Sequence, residues 1–324
     1  MLHLRIVSPQ GSTPRVLEVL EGTESVCNII VLEAAARRPS GDVLLCDVPR
    51  EDASVVLADL RGLGIHHDGS VAVEAIETEL SDGMERALQA ARGAEADAVV
   101  WEEVTKRTSE SSELSVSFAL FMVLAALLAA VGILLDSPVL VVGAMVVGPE
   151  CGPIAGICVA ALQRRGDMAA RSAAALGAGF PLAILSVGVA MLIFRATGLV
   201  SEDFDTQEHA FAELISSPDF FSFFVAFCAG IVGMLSLTTA KSSALVVVFI
   251  SITTIPAAAN AGVAAAYGDW TTVLGSLGQL LVNLAAIIIA GLLTLVVERR
   301  MYERRRRRHL RALRRSTDSR ATAN

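Results

Sequence analysis

The 324-residue chain is 53% apolar and 5% aromatic, has a mean hydropathy of +0.59, and carries 26 basic and 34 acidic residues for a net charge of −8. That composition points to an integral membrane protein and excludes a disordered or fibrous chain. Most of the charge lies before Leu114, in the segment 202–219 or after Val297, so the net value averages separate regions and gives no reason to expect nucleic acid as a partner.

Residues 1–80 read as a small soluble α+β unit. Alternating apolar residues between Gly, Pro and Ser punctuation predict strands at Leu2–Ser8, Ser25–Leu32, Asp42–Val48 and Ser70–Ile76, with helices at Thr13–Glu21 and Glu51–Leu63. The order βαββαβ is the ferredoxin-like arrangement, which hosts many functions and settles no ligand. Asp47, Arg50, Glu51 and Asp52 gather at a strand-to-helix turn and read as a helix start with acids near its positive end. Met1–Gln10 has neither a basic start nor a long apolar stretch, so no signal peptide is expected. Residues 81–113 form a helical connector, with Met84, Leu88 and Ala91, then Val100, Trp101 and Val104, at helical spacing. Its end, Ser109–Glu113, reads as a cap at the membrane face.

Six apolar spans are expected at about 114–135, 139–162, 173–194, 220–240, 244–267 and 273–297, followed by a basic tail over 298–324. Arg164, Arg165 and Arg171 follow the second span, Lys241 the fourth, and ten arginines between Arg299 and Arg315 the sixth. The other connections carry Asp136, the acidic 202–219 segment and Asp269, so both termini are expected in the cytoplasm. Tyr267 and Trp270 would mark the outer interface and Tyr302 the inner one.

Glu150 is the single charged residue in these spans. It lies in Gly148-Pro149-Glu150-Cys151-Gly152-Pro153, near the expected midplane, where a carboxylate costs roughly 2.5–3.5 kcal/mol. Pro149 and Pro153 would deprive the carbonyls of Met145 and Pro149 of their helical donors, so a broken helix facing a cavity or a partner helix is expected. Ala144, Gly148, Gly152, Gly156 and Ala160 recur every fourth residue and would give this span a continuous small-residue packing face. In the fifth span Ser251, Thr253, Thr254, Pro256 and Asn260 gather polar groups around a second break, where Pro256 would free the carbonyl of Ile252. Gln279 and Asn283 share a face of the sixth span. A carboxyl that loads and releases a proton beside freed carbonyls suits a proton or cation coupling site; the bland alternative is a neutral Glu150 bonded to Asn260, Asn283 or a hydroxyl. Arg304, Arg305, Arg306, Arg307 and Arg308 are candidates for anionic lipid, or serve as a solvated topology anchor.

The two halves of the membrane region, 114–195 and 220–297, look like copies. A slide of 105 residues pairs Phe118 with Phe223, Ser137 with Ser242 and Leu140-Val141-Val142 with Leu245-Val246-Val247, and a one-residue gap pairs Gly156 with Gly262. A copy with three spans must insert upside down, which is the 3+3 inverted-repeat plan of many secondary transporters. The fold class expected is thus an α-helical polytopic membrane protein with broken helices and an N-terminal ferredoxin-like cytoplasmic domain.

The five cysteines (27, 46, 151, 158, 228) lack metal-ligand spacing and the five histidines form no HxxxH or HExxH pattern, so no metal site and no cofactor is expected. With no nucleophile–base pair and no phosphate loop, an enzyme is not expected either.

The membrane half also resembles a known family. Asp136-Ser137-Pro138 leads into Val142-Gly143-Ala144-Met145 and the Gly148–Ile154 stretch; Ile255-Pro256 precedes an Ala-rich run ending Gly268-Asp269-Trp270; and Leu281-Val282-Asn283-Leu284-Ala285 lies in the last span. These residues resemble the bacterial and archaeal family termed domain of unknown function 389, the uncharacterised hydrophobic domain. That family more usually has two apolar residues where this chain has Glu150-Cys151, and a double proline where it has Ile255-Pro256. The resemblance implies a multi-pass protein of the bacterial plasma membrane, preceded by a regulatory-type domain. Three readings stay open: a secondary transporter or ion-coupled carrier of a small solute, a channel of the same architecture, and a non-transporting sensor or scaffold. Small-residue faces also fit a homo-oligomer.

Overall fold

The computed structural model describes residues 1–76, 81–91, 99, 101–200, 220–239 and 254–323. They fall into two compact units. The first comprises Met1–Val104, Thr238–Ala240 and Glu298–Asn324; the second comprises Thr105–Leu237 and Lys241–Val297.

In the first unit the chain order is β1 (Leu2–Ser8), α1 (Thr13–Glu21), β2 (Cys27–Arg37), β3 (Ser40–Val48), α2 (Arg50–Gly62), α3 (Ile65–Asp68), β4 (Ser70–Ala75) and α4 (Asp82–Ala90), then the first turn of α5 (Trp101–Ser111). The strands lie in the order β2-β3-β1-β4 with every pair antiparallel, the split βαβ pattern. Alternation along β1 buries Leu2, Leu4 and Ile6, which share one core with Leu44 and Cys46 of β3, Val16 and Leu20 of α1, and Val56 and Leu60 of α2. Burial pushes the Cys46 thiol up to about 12, so it is an inert packing group.

β2 runs five residues beyond the expected Leu32, because register shifts between Cys27 and Ile30 and between Leu32 and Ala36 absorb extra residues. The bends place Asn28 and Ala34 at φ of 52° and 50°, and a carboxylate of β3 pins each one. The amide of Asn28 donates to Asp47 at 2.7 Å, and the backbone N–H of Ala34 donates to Asp42 at 2.8 Å. The acid cluster noted at 47–52 works as scaffold: Asp47 also meets His3 Nδ1 at 2.7 Å, Asp52 accepts from Ser25 at 2.7 Å, and Arg50 pairs with Glu103 at 2.8 Å. The end of the chain's last helix is tied in as well, through the Tyr302 hydroxyl donating to the Ser54 carbonyl at 3.1 Å and Thr238 donating to Glu298 at 2.7 Å.

The second unit contains α6 (Val116–Leu134), α7 (Pro138–Val147), α8 (Cys151–Gln163), α9 (Gly166–Ala196), α10 (Phe220–Thr238), α11 (Ile255–Tyr267) and the membrane part of α12 (Trp270–Ala323). Four of these, α6, α9, α10 and α12 as far as Arg304, are long and apolar enough to cross a bilayer, and α7 with α8 makes a fifth candidate bent by 51°. Of the expected fifth span only α11 lies among the described residues; 241–253, with Ser251 and Thr253, lie outside them, as does the acidic 202–219 segment. α12 continues without a helical break from the last span into the basic tail, as far as Ala323.

α11 is buried on every side from Ile255 to Ala264 and packs among α6, α7 and α9. Its alanines make this possible, because small side chains let neighbouring backbones close in where lipid offers no hydrophobic drive. The helices of the two halves share one spacing. α6 at 116–134 answers α10 at 220–238, α8 at 151–163 answers α11 at 255–267, and the starts of α9 and α12 at 166 and 270 keep the same interval of 104 residues. The left-handed caps Arg164 (φ 57°) and Gly268 (φ 75°) keep it too. The elements therefore register at 104, not at the 105 that side-chain matching gave.

Candidate functional site

α7 leaves helical geometry at Gly148 (φ −63°, ψ 125°), and Glu150 caps the start of α8. Pro149 falls in the gap and Pro153 in the first turn of α8; Pro256 occupies the first turn of α11, which Thr254 caps. The broken helix expected at this place is present. The chain has already left the helix, and the two first-turn prolines stand where an N–H would have no partner. They start helices instead of kinking them.

Glu150 is fully buried (0% exposed), and its Oε1 accepts a 2.8 Å hydrogen bond from the equally buried Thr254 hydroxyl, 104 residues away. A hydroxyl is thus one hydrogen-bonding partner of Glu150, as the bland alternative allowed. Among the described buried polar residues of the second unit Glu150 alone can carry a charge. The rest are hydroxyls and amides, and no group of three His, Cys, Asp or Glu side chains among the described residues is placed to hold a metal ion.

Thr272, Ser276, Gln279 and Asn283, all buried, form a stripe along one face of α12 at steps of four, three and four residues. Asn260 of α11 donates to Ser276 at 3.0 Å, and Gln279 donates to Asn283 at 3.1 Å. Gln279 Oε1 has no hydrogen-bond partner among the described residues.

The helix after the break also packs on the end of the connector. A Cβ at Gly152 would collide with the Ser111 carbonyl at the end of α5, and one at Gly156 would collide with the hydroxyls of Ser112 and Ser172. Ser112 also donates to the carbonyls of Thr108 and, at 3.3 Å, Gly152, while Gln163 donates to Thr105 at 2.7 Å. α8 therefore lies along the last turns of α5, next to the exposed Glu113–Arg171 pair at 3.6 Å. The 51° bend also interrupts the continuous small-residue face expected from Ala144 to Ala160; Gly152 and Gly156 make close approaches to Ser111 and Ser112 at the end of the connector.

Gly148, Pro149, Glu150, Gly152, Pro153, Thr254 and Pro256 are thus gathered at the two helix starts, while Asn260 lies further along α11, bonded to Ser276, and Asn283 lies on α12, bonded to Gln279. Arg304 is exposed, and the side chains of Arg305, Arg306, Arg307 and Arg308 lie outside the described residues. Sequence reading missed Arg195. It donates to the Ala266 carbonyl at 2.5 Å and lies 4.7 Å over the Tyr267 ring, a cation at the carbonyl end of α11. Its signal was an arginine just past an apolar span.

Several apolar helices, a bent helix pair with a buried acid at the bend, and a small antiparallel sheet unit define a multi-pass integral membrane protein of the helical class. Residues 145–289 match the family described as Domain of unknown function (DUF389), the family that the residue pattern resembles. The match takes in the break, α9, α11 and the whole polar stripe. No curated protein and no solved structure matches the chain.

Proposed function

We propose that this protein is a secondary transporter or ion-coupled carrier of a small solute in the bacterial plasma membrane. It is built from six spans as a 3+3 inverted repeat, with both termini and a ferredoxin-like regulatory domain (1–80, joined by 81–113) in the cytoplasm. One observation carries this reading: a fully buried carboxyl, Glu150, bonded to Thr254 where two helices begin. A group so costly to hold in a bilayer is retained for a pathway more often than for packing. Helix starts that meet at a repeat interface are where carriers bind their cargo. Catalysis forms no part of the proposal, lipid is the surrounding partner, and self-association through small-residue faces is compatible with it.

A second reading, the non-transporting sensor or scaffold, draws on the closure of the same place, because Glu150, Thr254, Asn260 and Ser276 are all fully buried. Flux separates the two. Protein reconstituted in vesicles is given sodium or pH jumps with a pool of amino acids, sugars and organic acids, and charge movement is recorded. A saturable current is expected, lost in Glu150→Gln at equal expression. Current unchanged in the variant, or absent in the parent, rejects the carrier; a current that never saturates favours a channel.

A further inference from the structure

We infer that the Glu150–Thr254 pair lies on a pseudo-two-fold axis between the two halves and is a site for one monovalent metal cation, closed from its two sides by two equivalent helix seams. The first line of support is the pattern of contacts. Cys158 Sγ of α8 lies 3.6 Å from the Ile288 carbonyl of α12, and a Cβ on Gly291 would stand 3.1 Å from that sulfur. Moved by 104 residues in opposite directions, these become Gly262 of α11 against Ile184 and Val187 of α9. That contact exists: a Cβ on Gly262 would stand 2.7 Å from the Ile184 carbonyl oxygen and 2.7 Å from Val187 Cβ. Exchange of partners between halves is what a two-fold axis produces; a simple translation does not. Within the halves, Gly156 against Ser172 answers Asn260 bonded to Ser276.

Residues related by a two-fold axis meet each other only on the axis itself. Glu150 and Thr254 are so related and are bonded at 2.8 Å. A site on the axis bears the same relation to both seams, so opening either one exposes it to one side of the membrane, which is the geometry of alternating access. The ligand class follows from charge. One carboxylate beside a hydroxyl, the single chargeable group among the described buried polar residues of this unit, neutralises one positive charge; a divalent ion would leave an uncompensated charge in the bilayer, and an anion would add to the negative one.

The inference rests on the carrier reading, and its test separates the two. In the full chain with Cys27, Cys46, Cys151 and Cys228 replaced by Ala, Gly291→Cys is oxidised to a bond with Cys158, whose sulfur is already near disulfide distance. Val187→Cys with Gly262→Cys in a Cys158→Ala chain locks the other seam after it opens by about 1 Å. In vesicles, Thr254→Cys is labelled by an impermeant maleimide applied from either side. We expect labelling from one side under the first lock and from the opposite side under the second, with at least tenfold protection by sodium over choline in unlocked Thr254→Cys protein. The first lock alone decides if the second fails to form, since labelling from both sides under it overturns the seam assignment. Labelling from the same side under both locks overturns the seams while leaving a carrier. Labelling from neither side in any form removes the carrier reading itself. Stronger protection by magnesium than by sodium, or protection by acid pH alone, overturns the cation assignment.

Discussion

The sheet unit and the span unit solve the same packing problem in opposite ways. The first buries Leu2, Leu4, Ile6, Leu20, Leu44 and Leu60, large side chains whose transfer out of water drives the collapse. The second, around α11, buries Ala257, Ala258, Ala259, Ala261 and Gly262, because lipid is as apolar as leucine and close backbone approach is what remains to be gained. Carboxylates differ likewise. Asp42, Asp47 and Asp52 each find a hydroxyl, amide or histidine in a unit rich in acids, whereas Glu150 stands as the one buried acid described in the spans. The contrast teaches that stability in the first unit is spread over volume, and in the second concentrated at contacts where one added methyl group has no room.

Substitutions should break the two units by these different routes. The largest effect is expected for Gly230→Leu, whose Cβ would stand 2.6 Å from the Ile287 carbonyl oxygen and 2.9 Å from Ala290 Cβ. No monodisperse protein should be recovered on size exclusion in detergent, whereas Gly177→Leu, with nothing within 4 Å, should behave as the parent. Leu44→Ala in the first unit should cost about 2–5 kcal/mol in urea denaturation, the range for a cavity left in an aliphatic core. Arg195→Met removes the cation from the end of α11 and should cost about 1–2 kcal/mol, part of it regained in Arg195→Lys.

The mildest change is a pH effect. The Ala34 N–H, and after it the Thr13 hydroxyl, hold the Asp42 carboxyl below the usual range. A folded value below the unfolded one stabilises the fold above the unfolded value, near pH 4, and the gain is lost as pH falls through the folded value. Asp42→Asn should therefore flatten the acid limb of the first unit's stability curve below about pH 4; an unchanged limb would refute the role given to Ala34 and Thr13.

Much of this was readable from residue order. Period-two alternation set β1, and Thr13–Glu21 is the helix as expected. The Gly-Pro-Glu-Cys-Gly-Pro stretch marked the bend. What escaped was whatever depends on a neighbour. Val104 and Thr108 of α5 and Ser112 just after it are buried at steps of four, a stripe made mostly of hydroxyls that an apolar period cannot detect, and so the seating of α8 on the connector stayed hidden. The 104-residue interval between helix starts was masked because residues at that interval are unlike, such as Glu150 and Thr254 or Gly156 and Asn260. Their likeness lies in helix ends and contacts, not in side chains. The length of β2 was missed because its bulges are held by Asp42 and Asp47, two residues of another strand.

The chain has two tryptophans, Trp101 at the start of α5 in the first unit and Trp270 at the exposed start of α12 in the second. Each unit thus contains its own optical reporter. With Trp101→Phe the remaining emission comes from the span unit alone, with Trp270→Phe from the sheet unit alone, and the melting of each can be followed in the intact chain without any attached dye.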